Sequence, residues 1–163
     1  MSEIVLEQRI EASPADVYAY LTDEAKWKRW QGADATLDPR TGGVFSILMA
    51  NGMNARGEFV ELVPDRRVVF TWGWIGYENL LPGSSTVEID LRADGDATVL
   101  VLTHGSLPDE EELSSQRMGW THYLPRLAVA AAGGDPGQDP GPSSHRSAQG
   151  SPGRGATSNS PNQ

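Results

Sequence analysis

The stretch RMGWTHYLPRLAVAAAGG at residues 117–134 is the end of the longest helix that the sequence predicts. Gly119 and Pro125 lie inside it, on either side of the bulky Trp120. In a helix interior, glycine costs about 1 kcal/mol and proline about 3 kcal/mol relative to alanine. A helix that contains both residues needs a partner to pack against, and the rest of the chain must supply it.

One side of this helix carries a narrow, mostly apolar stripe at 100° per residue. The stripe consists of Leu113, Arg117, Trp120, Leu124, Leu127 and Ala131. We expect it to face inward, with Pro125 facing solvent, where proline permits a long helix to curve. Gly119 is then expected to leave room beside Trp120. Four consecutive acids at residues 109–112 suit the start of the helix and are expected to be solvated.

The preceding residues predict a first strand, two short helices and six further strands. Ser13 and Pro14 mark the start of the first helix as its N-cap and first residue. Between residues 85 and 104, apolar and polar residues alternate around an Asp94-Gly95 turn, which is typical of a hairpin. Strands joined by short turns form an antiparallel sheet. The expected fold is therefore α+β, with one curved sheet wrapped around the long helix and a space between them.

The composition predicts one folded domain and a tail. Residues 133–163 contain no Ile, Leu, Val, Met or aromatic residue and are dominated by Gly, Pro and Ser. Such a segment buries too little apolar surface to offset its ordering entropy, so disorder is expected there. The folded domain is accordingly placed at residues 1–132.

The charge and cysteine content narrow the classes of partner. A net charge of −9 without a basic stripe argues against nucleic acid and against an anionic membrane surface. The 163 residues include no cysteine, which excludes a disulfide framework and a thiol nucleophile. No apolar run approaches 18 residues and no leader is evident, so a cytoplasmic location is expected.

Several motifs resemble a known family through their order and spacing. They are IEASPADVYAYLTD at residues 10–23, RTGG at 40–43, VFTW at 69–72, LTH at 102–104 and GW at 119–120. Together they resemble the START-like helix-grip (SRPBCC) superfamily, and within it the activator of heat-shock protein 90 ATPase homologue-like (AHSA-type) family. The resemblance covers residues 3–132 and implies an internal cavity between sheet and helix. Superfamily members bind lipids, hormones and polyketides, and some act on them as cyclases.

Aromatic and polar residues near the expected cavity are the candidate ligand-binding residues. Trp72, Trp74 and Trp120 could line this cavity or fill it. His104 is expected to point inward from a strand, either as a hydrogen-bonded structural residue or as a polar contact or proton shuttle for a ligand. Arg117 is the one charged member of the stripe, so it must pair with an acid, reach the rim or clamp an acidic ligand group.

The remaining signals for chemistry are weak. His104, His122 and His145 are not expected to converge, so no metal or other cofactor is predicted. No catalytic motif stands out. Trp27 and Trp30 lie among basic residues and could form an exposed apolar patch.

The sequence thus predicts a protein that binds a small hydrophobic or amphipathic molecule in an internal cavity, rather than an enzyme. One alternative is a cyclase-, aromatase- or hydrolase-like enzyme that uses the same cavity, with His104 as its acid or base. Another is a protein-interaction module of chaperone-cofactor type, which rests on the family resemblance alone and predicts an exposed apolar patch, with Trp27 and Trp30 as its candidates. The oligomeric state stays open.

Overall fold

The computed structural model describes residues 2–142 of the chain. Seven strands and three α-helices follow one another in the predicted order, with a short 3-10 helix at Glu78–Leu80. They are β1 (Ser2–Ile10), α1 (Pro14–Thr22), α2 (Glu24–Trp27), β2 (Asp34–Leu37), β3 (Val44–Leu48), β4 (Asn54–Val63), β5 (Arg67–Trp72), β6 (Ser85–Asp94), β7 (Ala97–Leu107) and α3 (Glu110–Ala131).

The strands form one antiparallel sheet in the order β1-β7-β6-β5-β4-β3-β2. Every strand from β2 to β7 pairs with its neighbour in sequence, whereas β1 pairs with β7. The curved sheet covers α3, and α1 and α2 follow the first strand. The predicted α+β helix-grip fold is therefore confirmed.

Side-chain caps set the starts of α1 and α3, and the sequence indicated the first of them, Ser13. The Ser13 hydroxyl accepts from the Asp16 N–H at 3.2 Å, with Pro14 in the first helical position. At α3, the Asp109 carboxylate accepts from the Glu112 N–H at 2.9 Å. Both contacts satisfy amide groups that have no partner within their helix.

The face of α3 that is buried differs from the predicted stripe. Its buried residues are Glu112, Gln116, Trp120, Tyr123, Leu124, Leu127, Ala130 and Ala131. Leu113 is only partly buried and Arg117 is exposed, so the inward placement of Arg117 is wrong. Near its start the helix buries the residues that precede Leu113 and Arg117 by one position. This orientation keeps a guanidinium in water, where its charge remains solvated.

The predictions for the two helix breakers, Pro125 and Gly119, have different outcomes. Pro125 is exposed, as predicted, and α3 continues through it to Ala131. A Cβ atom added at Gly119 would meet nothing within 4 Å. The expectation that Gly119 makes room for Trp120 is therefore wrong.

Trp27 and Trp30 belong to the core. Both side chains are fully buried, so the predicted exposed patch does not exist. The Trp27 indole N–H donates to Gln31 Oε1 at 3.0 Å, and that of Trp30 donates to the Tyr20 carbonyl at 3.2 Å. These bonds satisfy the polar edge of each ring, which allows burial without the cost of an unpaired donor.

Residues 133–142 form a strap that folds back against the domain. The Gly32 N–H donates to Asp139 Oδ2 at 2.8 Å, and the Arg126 guanidinium donates to the carbonyls of Pro136 and Gly137. This differs from the disorder expected for residues 133–163 over the first ten of them. The shortage of apolar residues could not predict the strap, because its contacts are polar. Residues 143–163 lie outside the described residues.

We expect Asp139→Asn to lower the free energy of unfolding at pH 7 by about 2 kcal/mol, the scale of a hydrogen bond to a charged group. Burial would raise the pKa of Asp139, but the bonds donated by the amides of Gly32 and Gly141, together with the side chains of Tyr123 and His122, outweigh it and the pKa is lowered. A lowered carboxyl pKa stabilises the fold above the unfolded value of 3.8, and this contribution is lost as the pH falls through the folded value. Urea unfolding at pH 7 and pH 3 measures both effects.

Asp135→Asn is the matched control for this variant. Asp135 is an exposed strap residue whose carboxylate accepts from the Gly137 N–H. Its substitution should change stability by less than about 0.5 kcal/mol, as is usual at the surface. Equal losses in the two variants would contradict the anchoring role of Asp139.

Candidate functional site

Four of the five predicted site residues meet where α3 crosses the end of β5. The Trp72 ring centroid lies 5.3 Å from that of Trp120, 5.5 Å from that of Trp74 and 6.1 Å from that of His104. We call these four residues the indole site. Arg117 does not join them, because it lies on the exposed side of α3.

A chain of hydrogen bonds fixes the protonation of His104. The Trp120 indole N–H donates to His104 Nδ1 at 3.0 Å, so Nδ1 carries no proton. Burial lowers the pKa of His104 to about 3, so the ring is neutral near pH 7 and its one proton is on Nε2. Nε2 lies 2.8 Å from Ser85 Oγ and donates to it. The Ser85 hydroxyl then donates to the Trp72 carbonyl at 2.8 Å.

This protonation state does not suit base catalysis. A serine next to a histidine resembles a nucleophile with its base, but the base must present an unprotonated nitrogen to the hydroxyl. His104 presents its N–H to Ser85 instead, and its other nitrogen is occupied by Trp120. The contacts therefore favour the structural alternative for His104.

The Trp72 indole lacks a partner for its polar edge. Its residue is 2% exposed, and Nε1 makes no hydrogen bond within residues 2–142. A buried donor without an acceptor costs about 1–3 kcal/mol. The donor lies in the aromatic cluster that contains Trp74 and Trp120, which makes it the unusual feature of this site.

Two polar residues on α3 extend the site along the helix, and the sequence did not identify them. Glu112 and Gln116 precede Trp120 by two turns and one turn, and they are 3% and 5% exposed. Glu112 was expected in a solvated first turn, but the Tyr77 hydroxyl donates to its Oε2 at 2.6 Å. The four-residue spacing from Trp120 is the signal that could have placed both on the inner face.

The segment at residues 73–84, which we call the β5–β6 loop, covers the first turns of α3. The Trp74 N–H donates to the Leu80 carbonyl at 2.7 Å, and this bond closes the loop. Besides the Tyr77 contact, Asn79 Nδ2 lies 3.3 Å from both Glu112 Oε2 and Asp109 Oδ2. A few polar contacts thus hold the loop against the helix.

An open depression on the surface lies away from the indole site. It measures about 860 Å³ and is open, and it lies beside α1 at the start of β5 and the end of β6. The indole site lies at the opposite ends of these two strands, where Trp72 and Trp120 fill the space between sheet and helix. A ligand would have to move side chains or the β5–β6 loop.

Residues 2–142 contain neither a metal-binding cluster nor a membrane-spanning helix. In this part of the chain, no group of three or more His, Asp or Glu side chains is arranged to hold a metal ion. Nor does it contain a helix with the length and hydropathy needed to cross a membrane. His145 lies outside the described residues.

Most of the chain matches the model of a known protein family. The family model of the Activator of Hsp90 ATPase homolog 1-like proteins matches residues 11–132. The match covers most of the chain, including the indole site, and agrees with the resemblance of the sequence motifs.

Solved structures and curated proteins give the same result. The AHSA1-like protein RHE_CH02687 from Rhizobium etli is 40% identical, with a TM-score of 0.66, and the match covers 91% of this chain and 94% of that one. CalU16 from Micromonospora echinospora is 28% identical, with a TM-score of 0.67, over 80% and 76% of the two chains.

Among curated proteins, the human Activator of 90 kDa heat shock protein ATPase homolog 1 is 28% identical over 121 residues. That match covers 74% of this chain but only 34% of the human protein. The chain thus spans about a third of the length of its curated relatives.

Proposed function

Because the chain belongs to the family of Activator of Hsp90 ATPase homolog 1-like proteins, we propose that it binds a small hydrophobic or amphipathic molecule at the indole site. The observation that carries this proposal is the buried N–H of Trp72, which lacks an acceptor within the described residues. A ligand with an acceptor oxygen beside an apolar body would satisfy this donor. Its apolar part would pack against the rings of Trp72, Trp74 and Trp120 and replace some of the contacts that these rings make with one another.

The route to the site follows from the β5–β6 loop. This loop joins the strand that carries Trp72 to the strand that begins with Ser85. Its apolar Ile75 and Leu81 are 50% and 48% exposed. A few hydrogen bonds hold the loop to α3: the contact of Asn79 with Asp109 is exposed, and the two contacts with Glu112 are partly buried. A segment held by few contacts opens more readily than the apolar core. We propose that the ligand enters by displacing this loop.

The enzyme alternative has less support, because both ring nitrogens of His104 are already hydrogen-bonded. The chaperone-cofactor alternative has lost its candidate residues, since Trp27 and Trp30 are buried. This alternative now rests on the names of the curated relatives, whose chains are about three times as long as the segment that matches. Ligand binding is therefore the function that the site supports best, and the cytoplasmic location stays a prediction.

We expect Trp72→Phe to remove a preference for ligands that carry an acceptor. The probes are 2-acetylnaphthalene, which has a carbonyl oxygen, and 2-ethylnaphthalene, which has a similar shape without it. Wild-type protein should bind the ketone up to about tenfold more tightly, the upper range for one hydrogen bond. Trp72→Phe should bind the two probes equally. The measurement is a titration followed by the indole N–H signals in ¹H–¹⁵N spectra.

The same spectra provide the control, because the Trp72 signal is the one that disappears in the variant. In wild-type protein this signal should shift with the ketone more than with the hydrocarbon. If neither probe moves the signals of Trp72, Trp74 or Trp120 at concentrations near saturation, the proposal is rejected.

A further inference from the structure

The acidic side chain beside the indole site, that of Glu112, has no cationic partner among residues 2–142. Glu112 is 3% exposed, and the groups that bond its carboxylate are the neutral side chains of Tyr77 and Asn79. Both reach Oε2, and Oε1 accepts no hydrogen bond from a described residue. Oε1 is not among the fully buried atoms that lack a partner, so it stays accessible at the edge of the site. This oxygen can therefore accept a further donor.

The next turn of α3 adds a second polar group that lacks a partner. Gln116 is 5% exposed, and its amide makes no hydrogen bond with the described residues. Residues four apart on a helix are neighbours on one face, so Gln116 lies between Glu112 and Trp120. The amide oxygen of Gln116 is a further acceptor beside the Glu112 carboxylate.

Aromatic rings adjoin these acceptors. Tyr77 contacts Glu112 directly, its N–H donates to the Trp74 carbonyl, and the Trp74 ring packs against Trp72. Faces of tyrosine and tryptophan attract cations. The exposed Arg117 contributes no positive charge on this side of the helix.

We infer that the ligand of the indole site is an amphipathic amine. Its protonated amino group donates to Glu112 Oε1 and to the amide oxygen of Gln116, and its apolar part lies against Trp74 and Trp120. This charge preference is opposite to the acidic ligand that an inward Arg117 would have selected. The inference rests on the proposed function, since it names the ligand class of the same site.

The test compares three probes with one alkyl chain: decylammonium, decanoate and neutral decanol, each below its micelle concentration at pH 7.5. Isothermal titration should show wild-type protein binding decylammonium at least about tenfold more tightly than decanoate, as for a charge-assisted hydrogen bond. Glu112→Gln should lower the affinity for decylammonium about tenfold and leave that for decanol unchanged. Glu111→Gln is the matched control, because it removes the same charge from an exposed neighbour.

A second variant covers the case in which Glu112→Gln does not fold. Gln116→Met keeps the Tyr77 contact and should weaken decylammonium binding about threefold, the scale of one neutral hydrogen bond. Equal binding of the three probes, or equal losses in Glu111→Gln and Glu112→Gln, overturns the inference and leaves the proposed function standing. Failure of all three probes to bind overturns both.

Discussion

Replacing His104 by alanine should lower the free energy of unfolding at pH 7.5 by about 4 kcal/mol. The imidazole is fully buried, so its loss leaves a cavity between β7 and α3. It also removes the acceptor of the Trp120 N–H and the donor to Ser85. Two costs therefore act together, and urea unfolding followed by tryptophan fluorescence measures their sum.

His122→Ala is the control for this experiment. The His122 side chain is 22% exposed and lies 3.4 Å from Asp139, so its removal should cost about 1 kcal/mol or less. A loss below about 1 kcal/mol for His104→Ala would mean that the hydrogen-bond chain through Trp120 and Ser85 contributes nothing.

The pH dependence of the same variant reports the buried, neutral state of His104. Its pKa is lowered by burial from 6.5 to about 3, so between these values the unfolded chain binds the extra proton. The free energy of unfolding therefore rises with pH across this window, by up to about 1.4 kcal/mol per pH unit. This contribution of His104 is fully present above pH 6.5. In His104→Ala this component is absent, and the difference from wild type should shrink as the pH falls toward 4.

The order of the helices and strands could be predicted, because each of them depends on a local sequence pattern. Val87, Ile89 and Leu91 alternate with polar residues, and all three are buried in β6. His104 was placed inward by the same period of two along β7 and is fully buried. Strand period, turn residues and helix caps act over a few residues, so a single sequence contains the necessary information.

The orientation of α3 was harder to predict. Gln116 and Arg117 lie about 100° apart around the helix. Because Leu113 is apolar, the predicted stripe included it, and Arg117 lies one turn further along the same face. The β5–β6 loop decides the outcome, because its Tyr77 hydroxyl binds Glu112 and covers that side of the helix. Helical periodicity cannot predict a contact between residues that are 35 apart in sequence.

The polar contacts of the site were beyond sequence reasoning for a related physical reason. Whether Trp72 Nε1 finds an acceptor depends on side-chain rotamers in a packed cluster, and residue type does not specify them. Asp139 likewise anchors the strap through the Gly32 amide, although its segment has the composition of a disordered tail. Hydrogen bonds to backbone groups require no particular residue pattern.

Gly73→Ala should have the second large effect, a loss of about 3 kcal/mol in unfolding free energy, the upper range for an overpacked interior. A Cβ atom at Gly73 would lie 1.8 Å from the Leu81 carbonyl oxygen and 2.6 Å from Pro82 Cα. Both are backbone atoms, so no side-chain rotation can relieve the overlap. The two sides of the β5–β6 loop must separate, which breaks the bond from the Trp74 N–H to the Leu80 carbonyl.

Gly119→Ala is the matched control, since its added Cβ meets nothing within 4 Å and alanine favours a helix interior. It should raise stability by about 0.5–1 kcal/mol, while Gly73→Ala lowers it, as measured by urea unfolding at pH 7.5. Because loop separation also displaces Tyr77 from Glu112, Gly73→Ala should weaken decylammonium binding as well, whereas Gly119→Ala should leave it unchanged. Wild-type stability in Gly73→Ala would mean that the loop can move away from β5 without cost, and that it does not form a fixed cover over the first turns of α3.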